Sequence, residues 1–296
     1  MTKDYVDTTG ALLLILCSTL VGLNQVIIKL VNQGMHPVFQ AGLRSICAIL
    51  PIVFYMWLRK RSFSIAKIAF WPGVLAGLFF SGEFYLLFQA LDFTSVSRAS
   101  IFFYTMPFWT AIAAHFLIPG EHLTKPRVTG LILAVAGVVI ALMDRSEVSG
   151  EFALVGDLLC LVAALFWSGI ILVAKKTRFS EIGPELQLLY QLVISALILL
   201  SLSAFLEQPI RNITPTIIGL FSFQVIVVVC FSFLCWFWLL SVYPAGSMAA
   251  FSFLSPVMGV FFGWLILGEE LTYHILLALV LVSIGVYLVN RKPTPD

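Results

Sequence analysis

The sequence predicts an all-α integral membrane protein with ten transmembrane helices, arranged as two inverted five-helix repeats around a central cavity. The first observation is composition: the 296 residues are 60% apolar and 11% charged, with a mean hydropathy of +1.04. A soluble domain carries about 25% charged residues. The second observation is a proline-containing apolar stretch, followed by a Gly-Glu turn, that occurs twice in the chain.

Ten apolar segments are long enough to span a bilayer, which needs about 20 helical residues. The connections between them are short, so we expect no soluble domain. The predicted spans are 10–31, 38–58, 68–91, 96–117, 125–143, 153–174, 184–206, 214–240, 244–267 and 271–290.

The duplication is kept in register along the chain. Pro107 and Pro256 are 149 residues apart, and the Gly-Glu turns that begin at Gly120 and Gly268 are 148 apart. Such self-similarity indicates a repeat architecture. We therefore predict one five-span repeat over residues 1–147 and a second over residues 148–296.

The loop charges predict the orientation. With a cytoplasmic N-terminus, twelve Lys and Arg residues fall on the inner side and four on the outer side, as the positive-inside rule requires. Both termini are then cytoplasmic. Because each half holds five spans, the second half must enter the membrane from the opposite face, and inverted repeats of this kind recur in secondary transporters with a substrate site near the midplane.

Pro107 and Pro256 both fall near the centre of a predicted span. A proline inside a helix lacks an amide donor and clashes with the preceding turn, and in a membrane the freed carbonyl is tolerated only inside protein or beside a wet cavity. We expect two broken helices that face the cavity and act in gating. The alternative is a pair of static kinks.

Glu83 and Arg44 are ionisable residues inside spans three and two, at about the same predicted depth. Intramembrane charges are costly and mark functional sites by default. Their opposite signs make them a candidate ion pair. Glu83 is also a candidate for substrate or proton binding, and a purely structural pair is the alternative.

Aromatic and amide side chains also lie within spans, where a pocket for a small amphipathic solute would need them. Helix packing is the alternative for any one of them. The candidate cavity residues are Asn24, Glu83, Tyr85, Gln89, Tyr104, Trp109, Trp167, Gln224, Trp236 and Ser252.

Enzymatic and nucleotide-binding patterns are missing: we find no H-E-x-x-H, P-loop or Gly-x-Ser-x-Gly sequence. The four histidines are scattered, and the five cysteines lie in apolar runs without metal spacing. We expect no enzyme activity, no cofactor, no metal and no nucleic-acid partner. The expected partners are a small-molecule solute, the lipid bilayer and, as a candidate coupling ion, protons; we expect a monomer.

The segments Pro37–Leu50, Ala90–Ile112 and Leu267–Thr272 resemble the drug/metabolite transporter superfamily, in its EamA-type branch. The family pattern of a small residue, a mid-helix proline and a Gly-Glu turn matches residues in both halves. The matched positions are Ala99, Pro107, Gly120 and Glu121, and again Ala249, Pro256, Gly268 and Glu269. One departure is Val21-Gly22, where the family usually carries Trp-Gly, although span six keeps Trp167.

The resemblance implies a secondary transporter of the bacterial inner membrane, and the similarity is strongest to amino-acid exporters. We expect export of amino acids, including aromatic ones, or of related metabolites, by alternating access. A multidrug or nucleoside-type exporter of the same fold is the first alternative. A channel or an intramembrane enzyme is a more distant one.

Overall fold

The computed structural model describes residues 7–61, 67–119, 121–144, 152–243, 251 and 253–290. Within these ranges the chain folds almost entirely into helices. Their bounds are α1 Thr8–Asn32, α2 Pro37–Leu58, α3 Lys67–Phe93, α4 Val96–Phe103, α5 Met106–Leu117, α6 Lys125–Met143, α7 Ala153–Lys176, α8 Pro184–Ser203, α9 Pro215–Phe223, α10 Phe233–Val242, α11 Leu254–Leu267 and α12 Tyr273–Asn290.

Nine helical segments of the described residues are long and apolar enough to cross a membrane. Two of them combine shorter elements: α4 with α5, and α9 with α10 through the π-helix Gln224–Ser232. The remaining span, the ninth in chain order (244–267), is represented by α11, the 14-residue helix Leu254–Leu267, because residues 244–250 and 252 lie outside the described ranges. The predicted all-α membrane fold is confirmed.

The helices pair in a pattern with internal symmetry. α1 packs on α11, and the corresponding helix α7 packs on α4 and α5. α3 packs on α8, and in the same way α2 packs on the π-helix Gln224–Ser232. α6 packs on α12 and α2 on α8, each helix against its counterpart in the other half. A two-fold relation between the halves would produce this pattern, while the predicted division near residue 147 stays a prediction.

The fourth span is broken where the sequence places Pro107. α4 ends at Phe103 and α5 begins at Met106, so Pro107 occupies the first turn of α5, where a missing amide costs nothing. The Thr105 hydroxyl donates a 2.6 Å hydrogen bond to the carbonyl of Phe102 and stabilises the break. Pro256 lies likewise in the first turn of α11.

The π-helix Gln224–Ser232 interrupts the eighth span, a feature that sequence reasoning missed. A π-helix has wider turns than an α-helix, so groups five residues apart come together. Here the Ser232 hydroxyl donates to the carbonyl of Val227, five residues earlier, at 3.2 Å. π-Helical segments are rare and are often found at functional sites. Here the segment begins at the buried Gln224, which is one of the predicted cavity residues.

A junction at the predicted outer face joins the two halves. Met35 forms an antiparallel bridge with Ile210, and Arg211 donates to both carboxylate oxygens of Asp92, at 2.7 and 2.9 Å.

His36, beside this junction, caps α2: its Nδ1 atom accepts a hydrogen bond from the backbone amide of Val38, 3.3 Å away. Burial and the nearby Arg211 lower the pKa of His36, against the opposing effect of Asp92, so the accepting nitrogen stays unprotonated at neutral pH.

Glycine allows the close approach of α1 and α11. A Cβ atom placed on Gly22 would lie 2.6 Å from Cβ of Met258 and 2.8 Å from the backbone nitrogen of Gly259. No side chain fits there without moving one helix. Small residues at such contacts are typical of membrane helix packing, because they let two backbones come together.

Replacing Gly22 with Ala should therefore push α1 away from α11 and lower the thermal midpoint of the detergent-purified protein, with a loss of about 1–3 kcal/mol, as for other overpacked cores. The matched control is Gly219→Ala in α9, where an added Cβ meets nothing within 4 Å. That variant should be unchanged or slightly stabilised. Equal thermal midpoints for Gly22→Ala and Gly219→Ala would contradict the close approach of α1 and α11.

Candidate functional site

Amide side chains form a buried hydrogen-bonded chain between the halves. The Nε2 amide of Gln224 donates to Oδ1 of Asn24 at 3.1 Å, and Nε2 of Gln40 donates to Oε1 of Gln224 at 3.3 Å. All three residues are buried. The chain links α1, α2 and the π-helix Gln224–Ser232, and it brings together the predicted residues Asn24 and Gln224.

A second polar contact lies on the other side of α1. The Ser100 hydroxyl of α4 donates to Oε1 of Gln25 at 2.6 Å. Gly259 of α11 leaves the room for this contact, since a Cβ there would lie 2.1 Å from the Ser100 oxygen. The broken fourth span and α11 therefore meet at a polar point in the core.

The two intramembrane charges lie in the same buried region. Glu83 is 4% exposed and Arg44 is 2% exposed, and each acts electrostatically on the other. The guanidinium carbon of Arg44 lies over the ring of Phe84, 3.9 Å from its centroid, and 4.9 Å from that of Phe88. The predicted pairing of Arg44 with Glu83 as a direct ion pair stays a prediction.

Aromatic residues surround the helix break. Trp167 of α7 stacks on Phe103, with centroids 4.8 Å apart and an interplanar angle of 20°, and meets Tyr104 edge-on at 5.9 Å. Trp109 donates from Nε1 to the Thr105 hydroxyl at 3.2 Å. Tyr104 is buried and lies within electrostatic reach of Glu83, so the break, the aromatic rings and the acidic residue form one neighbourhood.

The remaining four predicted cavity residues differ in their surroundings. Tyr85 is 37% exposed and lies on the side of α3 opposite the buried Glu83, two residues earlier. Gln89 is partly buried. Trp236 packs with Leu14 and Cys17 near the predicted cytoplasmic end of α1. Ser252 lies outside the described residues.

Glu269 joins the end of α11 to the start of α4 at the predicted outer side, a contact that sequence reasoning did not predict. Gly268 ends α11 in the left-handed conformation, with φ 68°, which glycine adopts without cost. This turn points Glu269 at the N-terminus of α4. Its carboxylate accepts the amides of Val96 and Ser97 at 2.7 and 2.8 Å, and the Ser97 hydroxyl at 2.7 Å.

The equivalent residue in the first half, Glu121, makes different contacts. It accepts a hydrogen bond from Lys175 Nζ at 2.7 Å and lies 3.8 Å from Arg127. The repeat offset places the counterparts of Val96 and Ser97 within residues 244–250, outside the described ranges. The two turns thus have equivalent sequences and different partners.

A buried ion pair supports the same outer region. Arg98 of α4 donates from Nε and Nη2 to Asp157 of α7, at 2.5–3.2 Å, and from Nη1 to the carbonyls of Ala141 and Asp144. Asp157 also accepts the Thr94 hydroxyl at 2.7 Å. Both charged side chains are almost fully buried, and their many hydrogen bonds offset the cost of desolvation.

The sequence contained a signal for this pair that was not used. Asp157 lies in an otherwise apolar segment, and Arg98 follows a predicted loop by a few residues. An acidic residue within a span is rare enough to require a partner. Glu269 carried no such signal, because turn residues are commonly charged.

Among the residues that the structure describes, no group of three His, Cys, Asp or Glu residues could hold a metal ion. The core instead presents amides, hydroxyls, aromatic rings and two opposite charges. This is the lining expected for a small amphipathic solute.

The EamA-like transporter family matches residues 8–143 and again residues 154–291. The chain belongs to the EamA-like transporter family. It is therefore a multi-pass membrane transporter, and the resemblance to the drug/metabolite transporter superfamily is confirmed. The family assignment indicates a transporter rather than an enzyme.

Named relatives agree with this family. The chain is 27% identical to "Uncharacterized transporter YoaV" of Bacillus subtilis, over 90% of this chain and 91% of that protein. It is 29% and 28% identical to proteins named "Probable amino-acid metabolite efflux pump" from Escherichia coli and Salmonella typhimurium, over 90% of each chain. A solved crystal structure aligns over 95% of this EamA chain and 96% of its own, with a TM-score of 0.69 and 18% identity, and so supports the fold.

We expect the contact between Glu269 and α4 to help close the outer side of the core. Replacing Glu269 with Gln should weaken that closure, because a neutral amide accepts the first-turn amides of α4 less strongly than a carboxylate does. We expect a cysteine placed at Ser100, in a background lacking the five native cysteines, to react several-fold faster with an impermeant maleimide in this variant. Glu207→Gln removes the same charge from an exposed residue on the predicted outer side and leaves the Glu269 contacts in place, so it serves as the control. An unchanged rate in Glu269→Gln would show that the closure does not depend on this carboxylate.

Proposed function

We propose that this EamA-family protein is a secondary active transporter that exports amino acids, including aromatic ones, or related small metabolites. The observation that carries the proposal is the neighbourhood of Glu83, Tyr104 and Trp167, where a buried charge lies beside aromatic rings at the break in the fourth span. Such a lining suits a solute with one charged end and one apolar end. The names of two relatives, which speak of amino-acid metabolite efflux, support the same solute class.

Alternating access would use the two helix breaks as hinges. Pro107 and Pro256 begin helices α5 and α11 on opposite halves, and each half would rock against the other about these points. The repeats would be residues 1–147 and 148–296, inverted with respect to each other. Opening the outer side would require Glu269 to release Val96 and Ser97.

The energy for uphill export would come from an ion gradient or from exchange, because the sequence carries no P-loop. Glu83 is the candidate proton-carrying group, since it is a buried carboxylate next to the aromatic neighbourhood. The charge distribution favours a bacterial inner-membrane location with both termini in the cytoplasm. A single chain would contain the complete transport pathway, so the transporter would work as a monomer.

A multidrug or nucleoside-type exporter is the second candidate. The predominance of aromatic rings around Trp167 favours it, because flat apolar drugs would stack there. The buried charges of both signs favour an amino acid instead.

Counterflow in proteoliposomes, run with a panel of amino acids, nucleosides and lipophilic cations, tests the proposal. We expect accumulation of labelled aromatic amino acid against internal unlabelled amino acid, and competition only from other amino acids. Competition by nucleosides or cations alone would favour the second candidate. Flux without saturation or counterflow would indicate a channel.

Replacing Glu83 with Gln should abolish accumulation driven by a proton gradient, because the amide carries no exchangeable charge, while the protein remains monodisperse. Counterflow, which needs no net driving force, should be reduced less. Glu181→Gln, in the exposed ion pair with Arg178, is the matched control and should behave as wild type. Gradient-driven uptake at the wild-type rate by the Glu83→Gln transporter would remove Glu83 from the coupling mechanism.

A further inference from the structure

Arg44 is a buried charged residue whose hydrogen-bonding capacity the fold leaves incomplete. We propose that Arg44 recognises the carboxylate of the transported solute, and that the solute is a zwitterion whose ammonium group faces Glu83. The inference rests on the transport function proposed above and names the groups that select its substrate.

The surroundings of Arg44 leave one of its donors, Nε, without an acceptor. The guanidinium stacks against the faces of Phe84 and Phe88, which attract the charge but accept few of its hydrogen bonds. Its Nε atom is buried without a hydrogen-bond partner. A buried donor without an acceptor is destabilising, so retaining one in the membrane core points to an acceptor that comes from outside the chain.

The arrangement of Arg44 suits a carboxylate. A guanidinium offers donors in a planar fork that matches two carboxylate oxygens. The two phenylalanine rings lie against the guanidinium, and Nε, on the edge of the fork, has no acceptor within the protein. A lysine or an amide at this position would offer no such fork.

A second open polar group lies close to this position. Gln40 precedes Arg44 by one helical turn, and its Oε1 atom has no hydrogen-bond partner. One cationic and one anionic residue, with an unused donor on Arg44 and an unused acceptor on Gln40, complement a zwitterion better than an anion or a cation.

The apolar part of the solute has a surface to pack against. Phe84 and Phe88 lie beside Arg44, and Phe103 with Trp167 lies beside Tyr104. Aromatic faces at both positions favour a large apolar side chain. We therefore choose L-phenylalanine as the probe.

The test compares three compounds on the full-length purified protein: L-phenylalanine, L-phenylalaninamide, which lacks the carboxylate, and 3-phenylpropionate, which lacks the ammonium group. Their affinities are read from the ligand-dependent shift in thermal midpoint. The wild type should bind L-phenylalanine at least about tenfold more tightly than either analogue, because each analogue leaves one buried charge unpaired.

Arg44→Gln should lower the affinity for L-phenylalanine by about 10- to 100-fold, while the affinity for the amide changes less than about twofold. Arg44→Lys keeps the positive charge but loses the planar fork of donors, so its affinity for L-phenylalanine should lie between those of Arg44→Gln and wild type. Arg178→Gln, on the exposed side of the chain, is the control and should match wild type.

An equal loss of affinity for the acid and the amide in Arg44→Gln would make Arg44 a packing residue and overturn the inference. If Arg44→Gln does not purify in folded form, Arg44→Lys is used in its place. The inference then predicts that Arg44→Lys has a smaller ratio of affinity for L-phenylalanine to affinity for the amide than wild type, and an unchanged ratio overturns it. A wild type that binds the acid and the amide equally also overturns the inference, yet leaves amino-acid transport standing. Binding of none of the three compounds, together with absent counterflow, would instead remove the proposed function itself.

Discussion

The requirement that polar groups in a membrane core find partners within the protein governs this structure. Lipid offers no hydrogen bonds, so each buried donor or acceptor must be satisfied internally or face a wet compartment. The fold meets this requirement at Arg98 and Asp157, whose donors and acceptors are engaged with α6, α7 and the Thr94 hydroxyl. The fold leaves the requirement unmet at Nε of Arg44 and Oε1 of Gln40. The first group supports the architecture, and the second marks where a solute would complete it.

The two halves use the same turn for different contacts. Glu269 engages the N-terminus of α4, whereas Glu121 engages Lys175. Under the proposed alternating access, such an inequality would let one side of the core close while the other side opens. The glycine at the end of α11 directs the Glu269 carboxylate, so a backbone conformation decides an electrostatic contact.

Sequence reasoning predicted the helical membrane class, because composition alone excludes a soluble domain, and the break at Pro107, because proline chemistry is local. It also selected Asn24, Gln224, Glu83 and Tyr104 from their polarity within spans. It missed the π-helix Gln224–Ser232, since no residue pattern distinguishes one extra residue per turn from an α-helix. Sequence reasoning also proposed Tyr85 for the cavity, yet this side chain is exposed. The depth of a residue along a span can be read from the sequence, but the buried face of an almost uniformly apolar helix cannot. The partners of Glu269 depend on tertiary contacts over 170 residues apart, which no local rule supplies.

Access to the core from both sides of the membrane tests the account most directly. The measurement is the reaction of a cysteine at Tyr104, in a variant without native cysteines, with a membrane-impermeant thiol reagent added to right-side-out and to inside-out vesicles. The account predicts modification from both sides, slowed by the transported solute. Modification from neither side would show that the polar core is a sealed structural element and would contradict a solute compartment between the halves.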